Sequence, residues 1–348
     1  MNSLAHDATY YRNFDWNSVV AGPNLGRDDV ISCIEHRGSS KFPMSFGPVP
    51  LCFRNEELYD FFRKWPDDLE YLTMYLEPRR FADLMQQDGL YLHGSSSIKH
   101  LVDDWSQFDT VIDRLMPPVT AAWWDLLAPE LAKTPGRYHC VVHVAFLFEL
   151  LYVLRGMERF FIDLYDAPEQ VARGLDRIVE YTCALIPHYG KAGLDAFMIG
   201  DDWGSQRSLL IDPDLWRKLF KPCYKRCIDA CHASGLQVWF HSDGNLDAIL
   251  PDMVEIGVDV FHPLQPNVMA VDHWIAEYRN VLTFWTGVDV QGMLPFASPQ
   301  GVKDAVHREV ERFQSTRGGF ILGPTNALTA EVPYENLVAL HETLLEYR

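Results

Sequence analysis

From Gly193 onward the chain alternates two patterns. Short runs that are apolar at nearly every position, each of strand length and most opened by a Gly, end in a cluster of polar residues. Each is followed by a segment whose apolar positions recur at helical spacing. The strand-like runs are GLDAFMIGDDW (193–203), GLQVWFHSDGN (235–245), GVDVFHPLQP (257–266), VLTFWTGVD (281–289) and GFILGPTN (319–326). Helix starts are marked by Asp212 before Pro213 and Ser298 before Pro299, a capping side chain followed by Pro at the first helical position. Gly235, Gly257 and Gly318 can stop the helices. Strands that are apolar on both faces and alternate with helices imply a buried parallel sheet, and these units fit the second half of an α/β (β/α)8 barrel. KFPMSFGP (41–48), EYLTMYLEP (70–78) and RYHCVVHV (137–144) supply the three remaining strands, behind an N-terminal extension and helix over 1–40. A doubly wound sheet is the alternative, but no Gly-rich phosphate loop follows any run. With no low-complexity linker and no repeat, residues 1–348 read as a single domain.

In such a barrel the carboxyl ends of the strands form the active face, and each polar cluster lies at one of those ends. His241 and Asp243 are two apart on an extended chain, so their side chains point the same way. Neighbouring ends offer Asp201, Asp202, Gln206, His262, Gln265, Asp289, Thr325 and Asn326, and Asn245 closes the turn after His241. One strand ending in His and Asp is ordinarily a satisfied buried pair; five converging polar ends point to a site. Asp201 and Asp202 are adjacent and so point to opposite sides, which leaves one of them, assigned as Asp202, to face the barrel mouth.

Composition narrows the function. The 348 residues are 48% hydrophobic and 22% charged, enough for one large core. A formal charge of -18 and a pI near 5.0, without a basic run, exclude a nucleic-acid binder. Seven scattered Cys do not form a disulfide framework, so free thiols and a cytoplasmic location are expected. The N-terminus has no secretory pattern. The most apolar stretch, CVVHVAFLFELLYVL (140–154), is too short to span a bilayer and contains His143 and Glu149, so it reads as core and no membrane partner is expected. Cys223, Cys227 and Cys231 followed by His232 have metal-like spacing, but Trp216, Leu219 and Phe220 continue the stripe, which favours a buried helix face. The aromatics Tyr10, Tyr11, Phe14, Trp16, Trp105, Trp123 and Trp124 are read as packing, and Arg79 with Arg80 as a solvated pair.

The stretch from GDDWGSQRSLLIDPDLWRKLFKPCYKR through GLQVWFHSDGNLDAILPDMVEIGVDVFHPLQP to GPTNALTAEVPYENL resembles the uroporphyrinogen decarboxylase superfamily. GRDDVISCIEHRGSSKFPMSFGP (26–48) and FELLYVLRGMERFFIDLYDAPE (148–169) are similar to further family segments. The resemblance implies a (β/α)8 barrel and one of two chemistries. Haem-pathway decarboxylases carry the motif Met-Arg-Gln-Ala-Gly-Arg-Tyr, whose arginines hold substrate carboxylates. Here the region reads SFGPVPLCFRNEEL, with Arg54 its only cation. Asp201 and Trp203 match the decarboxylase Asp-Ser-Trp segment, but Asp202 replaces the Ser.

The other branch transfers methyl groups with a zinc held by His-x-Cys and a later Cys. His241 matches that His, whereas Asp243 and Asn326 stand where the two Cys would be, which makes the site harder and oxygen-rich. The resemblance therefore implies His241 and Asp243 as ligands of a divalent metal, zinc first, acting as a Lewis acid on an ether or hydroxyl oxygen. The metal-free alternative is His241, held by Asp243, as a general acid. The expected function is methyl transfer or demethylation from a small methylated or methoxylated donor to a corrinoid carried by a partner protein. His241, Asp243 and Asp202 are the expected catalytic residues, with Asp201, Gln206, Asn245, Gln265, Asp289 and Asn326 at the substrate. A homodimer is compatible with this reading. Decarboxylation of a carboxylic acid and a non-catalytic binding barrel are the alternatives.

Overall fold

Seven parallel strands follow one another in chain order: β1 (Leu69–Thr73), β2 (Tyr138–His143), β3 (Ala196–Gly200), β4 (Gln237–His241), β5 (Val260–His262), β6 (Thr283–Val288) and β7 (Phe320–Pro324). The structure, a computed structural model, describes residues 25–39, 41–47, 67–73, 100–116, 118–119, 124–143, 146–313, 317–328 and 331–347. Tyr10, Tyr11, Phe14, Trp16, Arg54, Arg79, Arg80, Trp123 and the side chain of Trp124 lie outside the described residues.

The strand expected over 41–48 contributes to the sheet through a single bridge. Met44 pairs parallel with Leu322, Leu322 N donates to Pro43 O and Ser45 N to Leu322 O, both at 2.8 Å, and Asp68 N donates to Met44 O at 3.0 Å. This segment therefore joins β7 to the entry of β1 and closes the α/β barrel. Pro43 has no N–H for a ladder, and Gly47 turns the chain away at φ +95°.

Alternation along the strands builds two apolar layers. Tyr138, Cys140, Val142, Ala196, Met198, Trp239, Val260, Trp285 and Ile321 pack together inside the barrel. Val141, Phe197, Ile199, Val238, Phe240, Phe261, Phe284 and Leu322 belong to the outer layer beneath the helices. Trp239 and Trp285 meet edge to face at 5.7 Å, so the interior is packed rather than open and chemistry is confined to its end. The helix Arg27–Ile34 supports the opposite end: Val30 and Ile34 join the inner cluster, and Thr283 Oγ1 donates to Ile34 O at 3.0 Å.

Local signals set the helices. Asp212 accepts from Asp214 N and Leu215 N at 2.9 and 3.2 Å, and Ser298 Oγ accepts from Gly301 N at 3.2 Å. Gly257, at φ +100°, ends the helix Leu250–Ile256 in the left-handed conformation. Cys223, Cys227 and Cys231 all lie on the buried side of the helix Lys221–Ala233. Among the described residues no helix is long and apolar enough to cross a membrane.

Candidate active site

The two acidic residues after β3 have opposite fates. Asp201 is completely buried and accepts hydrogen bonds from Leu147 N, Phe148 N and Glu149 N at 3.0, 2.9 and 2.8 Å. Tyr224 Oη donates to it as well, and accepts from Trp203 Nε1 at 2.8 Å. Asp201 thus ties the start of the helix Phe148–Arg155 to the strand end, while Trp203 stacks on Phe148 at 4.1 Å. Burial pushes the Asp201 carboxyl up to about 6, against the pull of those donors. Asp202 turns to the mouth, where its side chain is 40% exposed.

The polar end of β4 follows the same parity. Ser242 is buried, accepting from Trp203 N at 2.8 Å, while His241 and Asp243 flank it on the mouth side. Asp202 Oδ1 accepts from Asp243 N at 2.8 Å and lies 3.7 Å from His241 Nε2. Asn326, beyond β7, donates its amide to both oxygens of Asp243 at 2.7 and 2.8 Å. One ligand atom from each of Asp202, His241 and Asp243 lies within 4.8 Å of the others, an arrangement that could hold a metal ion. The loops touch through glycine: a Cβ on Gly244, itself at φ +88°, would come within 2.3 Å of Gly204 C.

Two of the other strand-end residues, Gln265 and Asn245, brace the loop that carries this cluster. Gln265 Oε1 accepts from Gly244 N at 2.8 Å, and Asn245 donates to Val268 O at 2.6 Å while accepting from Asp247 N at 3.1 Å. Asp289 accepts from Gln291 N and Gly292 N in its own turn. Gln206 lies exposed on the loop after β3. Thr325 Oγ1 accepts from Val290 N at 3.2 Å.

Two residues outside the expected catalytic set belong to the site. His262, at the end of β5, places Nδ1 2.7 Å from His241 Nδ1 and stacks on Trp285 at 3.7 Å. Burial, and then His241, hold its pKa well below the usual histidine value. Glu149, on the first turn of the helix Phe148–Arg155, is raised to about 8 by burial and by the neighbouring Asp202 and Asp201. Tyr152 Oη donates to Glu149 Oε1 at 2.8 Å, and Asp202 N also donates to the carboxyl. A lone carboxylate just beyond a strand end, inside an otherwise apolar run, was the available sequence signal.

This arrangement predicts a pH effect on stability. Glu149 and Asp201 bind protons more tightly folded than unfolded, so the stability they contribute is full below their ordinary values of 4.5 and 3.8 and is lost as pH rises through about 8 for Glu149 and about 6 for Asp201. The metal-free protein should melt lower at pH 9 than at pH 5.5. Glu149→Gln should recover about 2 kcal/mol at pH 9, after allowance for solvent at the mouth, or about 3 °C in Tm. A variant whose Tm keeps the parent's slope between those pH values would contradict the assignment.

Fold and site together define a (β/α)8 barrel with an imidazole and two carboxylates gathered at its C-terminal mouth. The family model described as uroporphyrinogen decarboxylase (URO-D) matches residues 125–347, and the chain belongs to that family. A curated relative from Syntrophotalea carbinolica, named uroporphyrinogen decarboxylase, is 26% identical over 180 residues, which cover 51% of this chain and 49% of the relative. The match thus spans about half the length of that relative. Among solved structures, a methyltransferase from Methanosarcina mazei superposes with a TM-score of 0.69 at 14% identity, covering 92% of this chain and 98% of that one. At that identity the likeness establishes the fold.

Proposed function

We propose that the chain removes a methyl group from a small methylated or methoxylated compound and delivers it to a corrinoid carried by a partner protein. In this reading Asp202, His241 and Asp243 hold a divalent ion, zinc first. The observation that carries it is the convergence of these three side chains at the barrel mouth, each partly exposed, with ligand atoms within 4.8 Å of one another. The donor set fits such an ion. One imidazole nitrogen and two carboxylates make a nitrogen- and oxygen-rich site that leaves a coordination position open. Asp243 is oriented by Asn326, and Asp202 accepts from Asp243 N through Oδ1, leaving Oδ2 for a ligand bond. A cation also offsets acidic side chains packed around one mouth.

When bound, the ion supplies Lewis-acid polarisation of the oxygen or nitrogen that the methyl group leaves. The chain's residues do the rest. His241 and Asp243 fix the position of that atom, and Asp202 closes the third side. Without the ion, Glu149, raised to about 8, keeps a proton on its carboxyl at neutral pH beside Asp202, and an ion held by Asp202 would draw that value down. It can return that proton to a leaving alkoxide or phenoxide as the carbon–oxygen bond breaks and the cobalt–carbon bond forms on the reduced corrinoid. Asp201 and Tyr224 hold the backbone that carries these groups.

Decarboxylation is the second reading, favoured by the name of the Syntrophotalea relative. Charge opposes it for a polyanion: Asp202 and Asp243 line the mouth of a chain with net charge -18, and uroporphyrinogen brings eight carboxylates that would each need a cationic or hydrogen-bonding partner. The discriminating experiment supplies zinc-loaded protein, cob(I)alamin and a panel of methoxylated and N-methylated donors, and follows the colour change to methylcobalamin. At least one donor should methylate the cobalamin, with no porphyrinogen decarboxylation. Decarboxylation at rates typical of enzymes, with no donor methylating cobalamin, would select the second reading.

A further inference from the structure

His241 is engaged from both sides of its ring. Its Nε2 faces Asp202 at 3.7 Å, and its Nδ1 lies 2.7 Å from Nδ1 of His262. At that distance the two nitrogens share one proton: one ring donates an N–H and the other accepts with its lone pair. His262 is itself fixed. It is 5% exposed, its ring lies against Trp285 at 3.7 Å and 25°, and its carbonyl accepts from Ser242 N at 2.9 Å. The register of β4 and β5 places His241 and His262 directly opposite each other. Among the described residues the Nε2 of His262 is buried without a hydrogen-bond partner, so its Nδ1 is the nitrogen committed to a contact.

We propose that His262 is a positioning residue that holds His241 through Nδ1 and leaves Nε2 as the only nitrogen presented to Asp202 and Asp243. The proposal rests on the metal-binding reading above. A ligating imidazole needs its second nitrogen held so that the ring keeps its orientation and tautomer, a task usually given to a carboxylate or a carbonyl. Here a carboxylate would add a further anion beside Asp202 and Asp243, whereas a neutral imidazole orients the ligand at no cost in charge. With an ion at Nε2, His241 carries its proton on Nδ1 and donates to His262, which carries its own on Nε2. Without an ion, the bridging proton belongs to His262, and His241 turns an Nε2–H toward Asp202. The two forms differ in which ring carries the bridging proton and not in the number of protons the pair holds.

The test compares the parent with His262→Leu, which cannot hydrogen-bond, and His262→Asn, whose amide oxygen can accept in place of Nδ1. Zinc affinity is measured by competition with a chromophoric chelator, and the ring protons are assigned by 15N imidazole spectroscopy with and without zinc. The Leu variant should bind zinc about 10- to 100-fold more weakly, and the Asn variant should return to within a few-fold of the parent. The spectra should show a proton bridging the two Nδ1 atoms in the parent, on His262 without zinc and on His241 with it. A parent that binds no zinc but shows the bridging proton would remove the metal reading and leave the positioning role standing. A folded Leu variant with parental zinc affinity would overturn the proposal. So would a parent spectrum without a bridging proton, which decides the matter even if the Leu variant does not fold.

Discussion

Asp201→Ala is expected to cost about 4 kcal/mol of stability, and Asp202→Asn almost none. The difference follows from what each carboxyl touches. Asp201, itself out of contact with water, accepts from three successive backbone amides at the start of the helix Phe148–Arg155 and from Tyr224. Removing it strands those donors, each at roughly 1–3 kcal/mol with partial relaxation. It also loosens Trp203, whose indole is held through Tyr224. Asp201→Asn keeps the shape and part of the acceptor capacity and should lose about half as much. Asp202 is partly solvated and ties down one amide, so Asp202→Asn should melt like the parent while losing turnover. Urea denaturation and a turnover assay on the three variants separate the two roles. An Asp201→Ala protein with the parent's midpoint would show that the buried carboxyl does not hold the helix.

His241→Ala should abolish zinc binding and lower turnover by about 10³-fold, equivalent to roughly 4 kcal/mol of transition-state stabilisation. The fold should persist, because the ring sits at the mouth and the packing beneath it belongs to Trp239 and Trp285. Asp243→Ala should lose less. Asp202 remains as a carboxylate ligand, and the freed Asn326 amide can find water at the partly exposed mouth. Metal analysis of folded variants checks both, and a His241→Ala protein that retains zinc and turnover would displace His241 from the centre of the chemistry.

The barrel was legible because strands covered on both faces must be apolar at nearly every position, and runs such as AFMIG and VWF have few other uses. The 41–48 segment was legible as extended but not as a bridge, since Pro43 blocks a ladder that only the fold reveals. At the site, period-two parity separated Asp202 from Asp201 and His241 with Asp243 from Ser242. Parity could not show that the remaining polar ends divide their work: Gln265 and Asn245 hold the loops, and Asn326 reaches Asp243 across 83 residues of chain. His262 was visible as a polar strand end, but its contact with His241 depends on the register of β4 and β5. Glu149 was hidden in an apolar run that reads as core, and its nearness to Asp202 arises from the helix that Asp201 anchors.

The most direct test of the site is X-ray absorption at the zinc edge on protein loaded with the metal, alongside its stoichiometry. The account predicts close to one zinc per chain, with a nitrogen and oxygen shell at about 2.0–2.1 Å, an imidazole contribution lost in His241→Ala, and no sulfur. A sulfur shell at about 2.3 Å, or metal-free protein that methylates cobalamin at the full rate, would contradict it.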